Sequence, residues 1–270
     1  MTSSIIVSKP TSRDGEFSLT FPQQIELTGE EQIGLQNISL YYSWDNITAK
    51  FNNNKFVYIH DLITYTIDIP DGYYQISDLN AYVQLAMKTQ GHYLVNQLGK
   101  DVFYFKIQTN IIYYVNTISL TTVPSSLPVG WSNPASFSLT GETFRLVILD
   151  NISKILGLTP STYPPIPSAL DVIFNSDKTP EITPISFVYV KCDFVNDTRF
   201  SFENSDVISQ IIVTDTRRGT LFNLNPQTVT FLPVKGGKYS RINITLTDQT
   251  GLPLAIRDKT AVLISLLLKR

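Results

Sequence analysis

The sequence predicts an all-β fold, a sandwich or barrel with the jelly roll among its forms, bearing elaborated loops, one amphipathic helix and one short helix. Three observations carry that expectation. Segments with period-2 alternation dominate the chain, turn signals separate them at steady spacing, and only two stretches show helical spacing instead. At 270 residues the chain is long enough for one large β domain or two smaller ones.

The elements follow in order. Met1 to Asp14, with its serines, Lys9-Pro10 and Arg13, reads as a loosely structured N-terminal arm ahead of a domain over 15–270. Glu16 to Phe21 alternates, and Gln32 to Trp44 is a longer strand-like run. Phe56 to His60 and Ile63 to Ile69 flank Asp61-Leu62, a hairpin connection; Ile63, Tyr65, Ile67 and Ile69 share one face of the second run. Leu79, Tyr82, Val83, Ala86 and Met87 then recur at helical spacing as far as Gly91, with Ser77 as the N-cap. Val102 to Ile107 and Ile111 to Thr121 pair next, joined by Gln108-Thr109-Asn110. After a strand at Thr143 to Leu149, Asp150 caps a short helix ending at Leu156, with Gly157 just beyond it. Further strands are expected at Leu170 to Phe174, Ile185 to Phe194, Val207 to Val213 and Thr228 to Leu232.

Two stretches break this rhythm. Val123 to Pro134 and Thr159 to Ser168 are rich in Pro, Ser and Gly, and Pro160 to Pro167 has too many prolines for a central strand. They read as long surface loops, with 121–185 as a loop elaboration or a small insertion.

The closing stretch Lys235 to Arg270 is the clearest. Arg241-Ile-Asn-Ile-Thr-Leu246 alternates, Asp248 to Gly251 is a turn built on Asp and Gly, and Leu252 to Ile256 is a short extended piece. Ala261 to Leu268 is nearly all apolar, the pattern of a central strand covered on both sides.

Composition narrows function by exclusion. Charged residues are only 16% of the chain, whereas it holds 14 Tyr and 15 Phe; such a surface is expected to be covered by neighbours. The formal net charge of −2 speaks against electrostatic binding to nucleic acid or anionic membrane, and Arg217-Arg218 reads as a solvated turn. Lone Cys192 sits in a strand-like run, as a small buried hydrophobe does. His60 and His92 lie outside any metal-ligand spacing, no nucleophile elbow or phosphate loop occurs, and Asp68/Asp71, Glu30-Glu31 and Asp193/Asp197 read as ordinary turn and surface acids. No catalytic, metal or cofactor residue is therefore expected, and no enzyme. The N-terminus lacks the pattern of a signal peptide and no run is long enough to span a membrane, so synthesis in a reducing compartment is expected. The N-x-S/T sequons at Asn37, Asn46, Asn151, Asn196 and Asn243 then read as chance.

Several stretches in order resemble one family. Phe17-Ser-Leu-Thr-Phe21, Ile25-Glu-Leu27 and Ile33 to Leu40 resemble the opening of the penton or minor capsid proteins of the Polinton, virophage and adintovirus lineage of double-stranded DNA viruses. Ser43 to Ile47 and Asn53 to Tyr58 follow in the same order, and Ile69-Pro-Asp-Gly-Tyr-Tyr-Gln-Ile-Ser-Asp-Leu79 is similar to the family's entry into a helix. Ile155-Leu-Gly-Leu158 with Tyr163-Pro164, Val188 to Asp193, and Asp248 to Leu254 match its later parts. The resemblance implies a single jelly roll that forms homopentamers at capsid vertices, beside a double-jelly-roll major capsid protein. It further implies residence in the virion after synthesis in host cytoplasm or a virus factory. The alternatives are another minor capsid or cement protein, a capsomer subunit, or a receptor- or glycan-binding spike head in which loop Trp131 stacks on sugar.

Overall fold

The computed structural model describes residues 2–183, 185–195, 206–213 and 219–270, so Arg217-Arg218 and the sequon at Asn196 lie outside the described residues. The chain divides into two compact units, one split in sequence (Met1–Trp44 with Ile185–Arg270) and one inserted into it (Asp45–Pro184). In chain order the split unit opens with β1 (Thr2–Val7), β2 (Lys9–Pro10), β3 (Glu16–Leu27) and β4 (Gln32–Tyr41). The inserted unit holds β5 (Lys55–His60), β6 (Ile63–Asp68), α1 (Ile76–Thr89), β7 (Leu94–Val95), β8 (Asp101–Val102), β9 (Phe105–Asn110), β10 (Val115–Leu120), β11 (Arg145–Val147), α2 (Asp150–Leu156), β12 (Thr162–Tyr163) and β13 (Val172–Asn175). The split unit resumes with β14 (Phe187–Cys192), β15 (Val207–Ile212), β16 (Leu221–Leu224), β17 (Leu232–Pro233), β18 (Gly237–Thr247) and β19 (Leu263–Lys269).

The split unit is a jelly roll by its strand order. One sheet runs β1-β19-β4-β16, with β17 also pairing β4; the other runs β15-β14-β18-β3-β2, and every pairing is antiparallel. Setting aside short β2 and counting β16 and β17 as one interrupted strand, the orders become first-eighth-third-sixth and second-seventh-fourth-fifth. That is the double Greek key of a jelly roll. Alternation supplies the core: Ile5, Val7, Ile38, Leu40, Ile264 and Leu266 are buried from one sheet, and Phe17, Val188, Val190, Cys192, Ile242, Ile244 and Leu246 from the other.

Two expectations change here. The N-terminal segment is not a loose arm: Thr2 to Val7 pairs in register with Lys269 to Ile264 and buries Ile5 and Val7. The pairing satisfies its backbone, and two buried aliphatics offset the entropy of ordering it. The last strand is central, as expected, lying between β1 and β4, but only one of its faces is buried. Ile264 and Leu266 face the core, whereas Leu263 and Leu267 point outward and stay partly exposed, because a sandwich has only one inner face per sheet.

Turn chemistry fixes the closing hairpin. Asp248 Oδ1 accepts from the amides of Thr250 (2.8 Å) and Leu252 (3.0 Å) and from the Thr250 hydroxyl (2.7 Å), while Gly251 takes a φ of +84°.

The inserted unit is mixed α and β. A four-stranded sheet (β12-β11-β5-β6), a three-stranded sheet (β13-β10-β9) and the small β7-β8 ribbon pack with α1 and α2 around Phe56, Tyr58, Met87, Phe105, Ile118, Phe144 and Ile152. Helix α1 begins at Ile76 rather than after Ser77, because Asp78 Oδ2 accepts the Gln75 amide (3.1 Å) and caps the helix two residues earlier. Both helices end as their glycines require, with φ of +82° at Gly91 and +70° at Gly157. Helix α2 has Asp150 as its first residue, after an N-cap at Leu149. The Pro-rich loop contributes Thr162–Tyr163 as edge strand β12, and Tyr163 stacks on Phe174 at 5.2 Å.

Buried Asn46 and Asn53 tie the start of this unit together. The Asn46 side-chain amide donates to the carbonyls of Tyr74 and Ile182 (both 2.8 Å), and its oxygen accepts the Tyr74 amide (2.8 Å). Asn53 accepts from the Thr48 amide and donates to the Asn46 carbonyl, each at 2.8 Å. With its side chain consumed this way, the sequon at Asn46 is no acceptor for a glycan in the folded chain.

Candidate functional site

The structure brings the chain's two histidines together. His60, at the end of β5, and His92, just past α1, have ring centroids 5.8 Å apart within a cluster of Tyr58, Tyr65, Phe137 and Phe144. His92 Nδ1 lies 2.6 Å from the Tyr58 hydroxyl, which also meets Gln90 Oε1. The phenol has one proton, so only one of these two neighbours can accept it. Burial lowers the His92 pKa to about 4, helped by His60 beside it. Burial lowers the His60 pKa too, against a hydrogen bond to the Ser138 carbonyl and the charge of Asp61. Both rings are thus neutral packing elements near pH 7.

His60, Asp61 and Ser138 also line a cavity of about 450 Å³ with Glu142 and Arg145. Their order of contact is wrong for a nucleophile. Ser138 Oγ donates to Asp61 Oδ2 (2.8 Å), while the His60 ring reaches the Ser138 main-chain carbonyl (3.1 Å), so the imidazole does not face the hydroxyl and the serine–histidine–acid relay is not formed. Among the described residues no three His, Cys, Asp or Glu side chains group to hold a metal ion. Asp71 accepts the Ala49 amide (2.7 Å) and Asp68 sits 3.9 Å from Lys55 on the surface, so each serves local structure. Cys192 is buried, and burial pushes its thiol up to about 12. Trp131 is partly buried and packs on the core of the inserted unit. Among the described residues no helix is long and apolar enough to cross a membrane.

The conspicuous surface features are apolar. The β9–β10 hairpin turns on Ile111, Ile112, Tyr113 and Tyr114, four consecutive large side chains between 71% and 78% exposed. Such a turn normally draws Gly, Asn or Asp. Here Asn110 Oδ1 accepts the Ile112 amide (3.1 Å) and Tyr114 takes a φ of +53°, so local hydrogen bonding holds a loop that buries almost nothing. Sequence patterning placed these residues inside a strand, with the turn at Gln108 to Asn110; the side chain of Asn110 was the one available turn signal. On the split unit, Ile6, Leu221 and Leu263 stand on the outer face of the β1-β19-β4-β16 sheet, opposite Ser265, Tyr41 and Ser39. Exposed apolar groups in one place mark surfaces that other molecules cover.

No protein-family model and no curated protein matches the chain. Solved structures do. The fold is similar to that in the crystal structure of the mavirus penton protein, at 10% identity and a TM-score of 0.51, over 100% of this chain and 98% of that one. A structure of the Sputnik virophage matches over 100% of this chain and 97% of that chain, at 9% identity and a TM-score of 0.41. The likeness to the mavirus protein is one of fold, and it spans the whole of this chain.

Proposed function

We propose that this chain is a structural virion protein, a penton subunit that closes homopentamers at the five-fold vertices of an icosahedral capsid. The observation that carries this reading is the end-to-end correspondence with the mavirus penton protein, which extends past the common jelly roll through the inserted unit. The low charge and the outward-facing aliphatic and aromatic side chains support it, since apolar groups gathered on a surface favour contact with neighbours that take them out of water. The chain would act through contacts rather than catalysis. Five copies meet through one heterologous interface that closes by rotation, and the ring borders a double-jelly-roll major capsid protein. The protein resides in the virion, after synthesis in host cytoplasm or a virus factory.

Light-scattering mass and negative-stain microscopy of the purified chain test this, alone and mixed with the major capsid protein of the same virus. Five-fold rings, alone or at the vertices of assembled particles, are the expected result. A stable trimer, or particles whose vertices lack the chain, refutes the reading.

A further inference from the structure

The inserted unit carries an edge strand that is only half sealed. Strand β9 pairs with β10 on one side, through Phe105↔Leu120 to Asn110↔Val115, and among the described residues has no strand on the other. Residues 105, 107 and 109 direct their main-chain groups to that open side, because the Ile107 amide bonds out to Asn80 Oδ1 (2.9 Å) rather than to β10. Helix α1 covers the first half. Asn80 takes the Ile107 amide, and Gln84 Nε2 donates to the Phe105 carbonyl (2.9 Å). Side chains that imitate a neighbouring strand are a known way of blunting an edge.

The second half is left open. The Ile107 carbonyl and both main-chain groups of Thr109 have no partner among the described residues, and they face a groove of about 630 Å³. Its walls are Tyr73, Ile76 and Asn80 on the helix side, with Ile111 of the exposed turn and Ile182 extending the apolar lining. Among the described residues the one cationic side chain in the lining, Lys106, is exposed and makes no ion pair, and no carboxylate lines the groove.

We propose that this groove takes an extended acidic peptide segment of a different polypeptide, added as a strand to the open half of β9. The occupant follows from the groove's chemistry. Unpaired main-chain groups at strand spacing call for another main chain, the flanking apolar walls accept alternate side chains, and unpaired Lys106 favours a carboxylate at the segment's end. The terminal strands β1 and β19 of this chain are paired to each other, so a second copy would have to break its own sheet to supply the segment. The inference is independent of the penton reading.

The probe is a fluorescein-labelled octapeptide alternating Val and Thr between terminal aspartates, titrated into the intact chain by anisotropy. Saturable binding is expected, weakened at least tenfold when the inner amides of the peptide are N-methylated and at least tenfold by Thr109→Pro. That substitution removes an amide that points away from β10 and also the Thr109 hydroxyl that donates to buried Asn116 Oδ1 (3.2 Å), so its Tm is measured beside its binding. Lys106→Glu reverses the preference toward a lysine-ended peptide. If Thr109→Pro lowers Tm, the N-methylated peptide and Lys106→Glu decide the matter with the fold intact. Equal binding of the N-methylated peptide, no saturation up to the peptide's solubility limit, or self-association that consumes the groove overturns the proposal.

Discussion

The His60–His92 cluster makes the stability of the inserted unit sensitive to mild acid, and the sign follows from its burial. His92 is held neutral, with its pKa lowered to about 4 by burial and by His60, against an ordinary value of 6.5. Below the ordinary value the unfolded chain binds a proton that the folded chain refuses, so stability falls as pH drops. The contribution is complete above about pH 6.5 and fades down to the folded pKa. Linkage puts the loss from His92 at about 2 kcal/mol by pH 5 and about 3 kcal/mol by pH 4. Depressed His60 adds to it in the same direction. The chain supplies its own reporters: Trp44 lies in the split unit and Trp131 in the inserted one, so Trp44→Phe leaves a single indole that reads the inserted unit alone. Urea unfolding of that variant at pH 7, 5 and 4 gives the slope. Carboxylates also titrate in this window, so the measured quantity is the difference between His92 and His92→Phe in the same background. The substitution loses the Tyr58 contact and some stability at pH 7, but its curve should be flatter by about 2 kcal/mol between pH 7 and pH 5. Parallel curves for the two proteins would refute the assignment of a depressed pKa to a packed, neutral His92.

Three further outcomes are expected. Gly157→Ala places a Cβ 2.4 Å from the Lys178 carbonyl oxygen at a residue with φ of +70°, and should cost roughly 1–3 kcal/mol in the inserted unit, read by urea unfolding on Trp131. Cys192, with its thiol pushed up to about 12, should resist iodoacetamide at pH 8 in the native chain and react at once in urea; native labelling at the unfolded rate would contradict its burial. Replacing Ile112 and Tyr113 with Ser should change folding stability by less than about 0.5 kcal/mol, since both are exposed, while shifting the oligomeric mass if the turn is an assembly contact.

Much of the roll was legible because its signals are local. The alternation of Arg241 to Leu246, the Asp248–Gly251 turn and the apolar run into Leu268 became β18, its turn and central strand β19, each dictated by residues within a few positions. The amphipathic spacing of α1 and the two C-terminal glycines were equally local. Failures arose where a local signal had a competitor. Ser77 is a good N-cap by type, yet Gln75 with Asp78 offers reciprocal capping two residues earlier. Lys9-Pro10 looked like the mark of a free arm, but Ile5 and Val7 two positions apart are a strand's inner face, and their partner lies more than two hundred and fifty residues away in β19. No window on the sequence contains that pairing.

The limits of the inserted unit and its exposed surfaces were illegible for a different reason. The unit starts at Asp45, next to Trp44, and nothing like a linker marks the place; the boundary exists because β4 and β14 join sheets of the roll while everything between them pairs within itself. The turn at Ile111 to Tyr114 has the composition of a strand core, and hydrophobic pattern reads it as buried. Its exposure becomes visible only when Asn110 and Tyr114 are seen to reverse the chain around it. A sequence selected for contacts between molecules spends apolar residues on surfaces that one molecule cannot bury. Pattern reading, which assumes that apolar means inside the same chain, assigns those residues to the wrong core. The misplaced strand at Ile111–Tyr114 and the half-covered outer face of β19 are the same error, and both fall where a neighbour is expected to complete the burial.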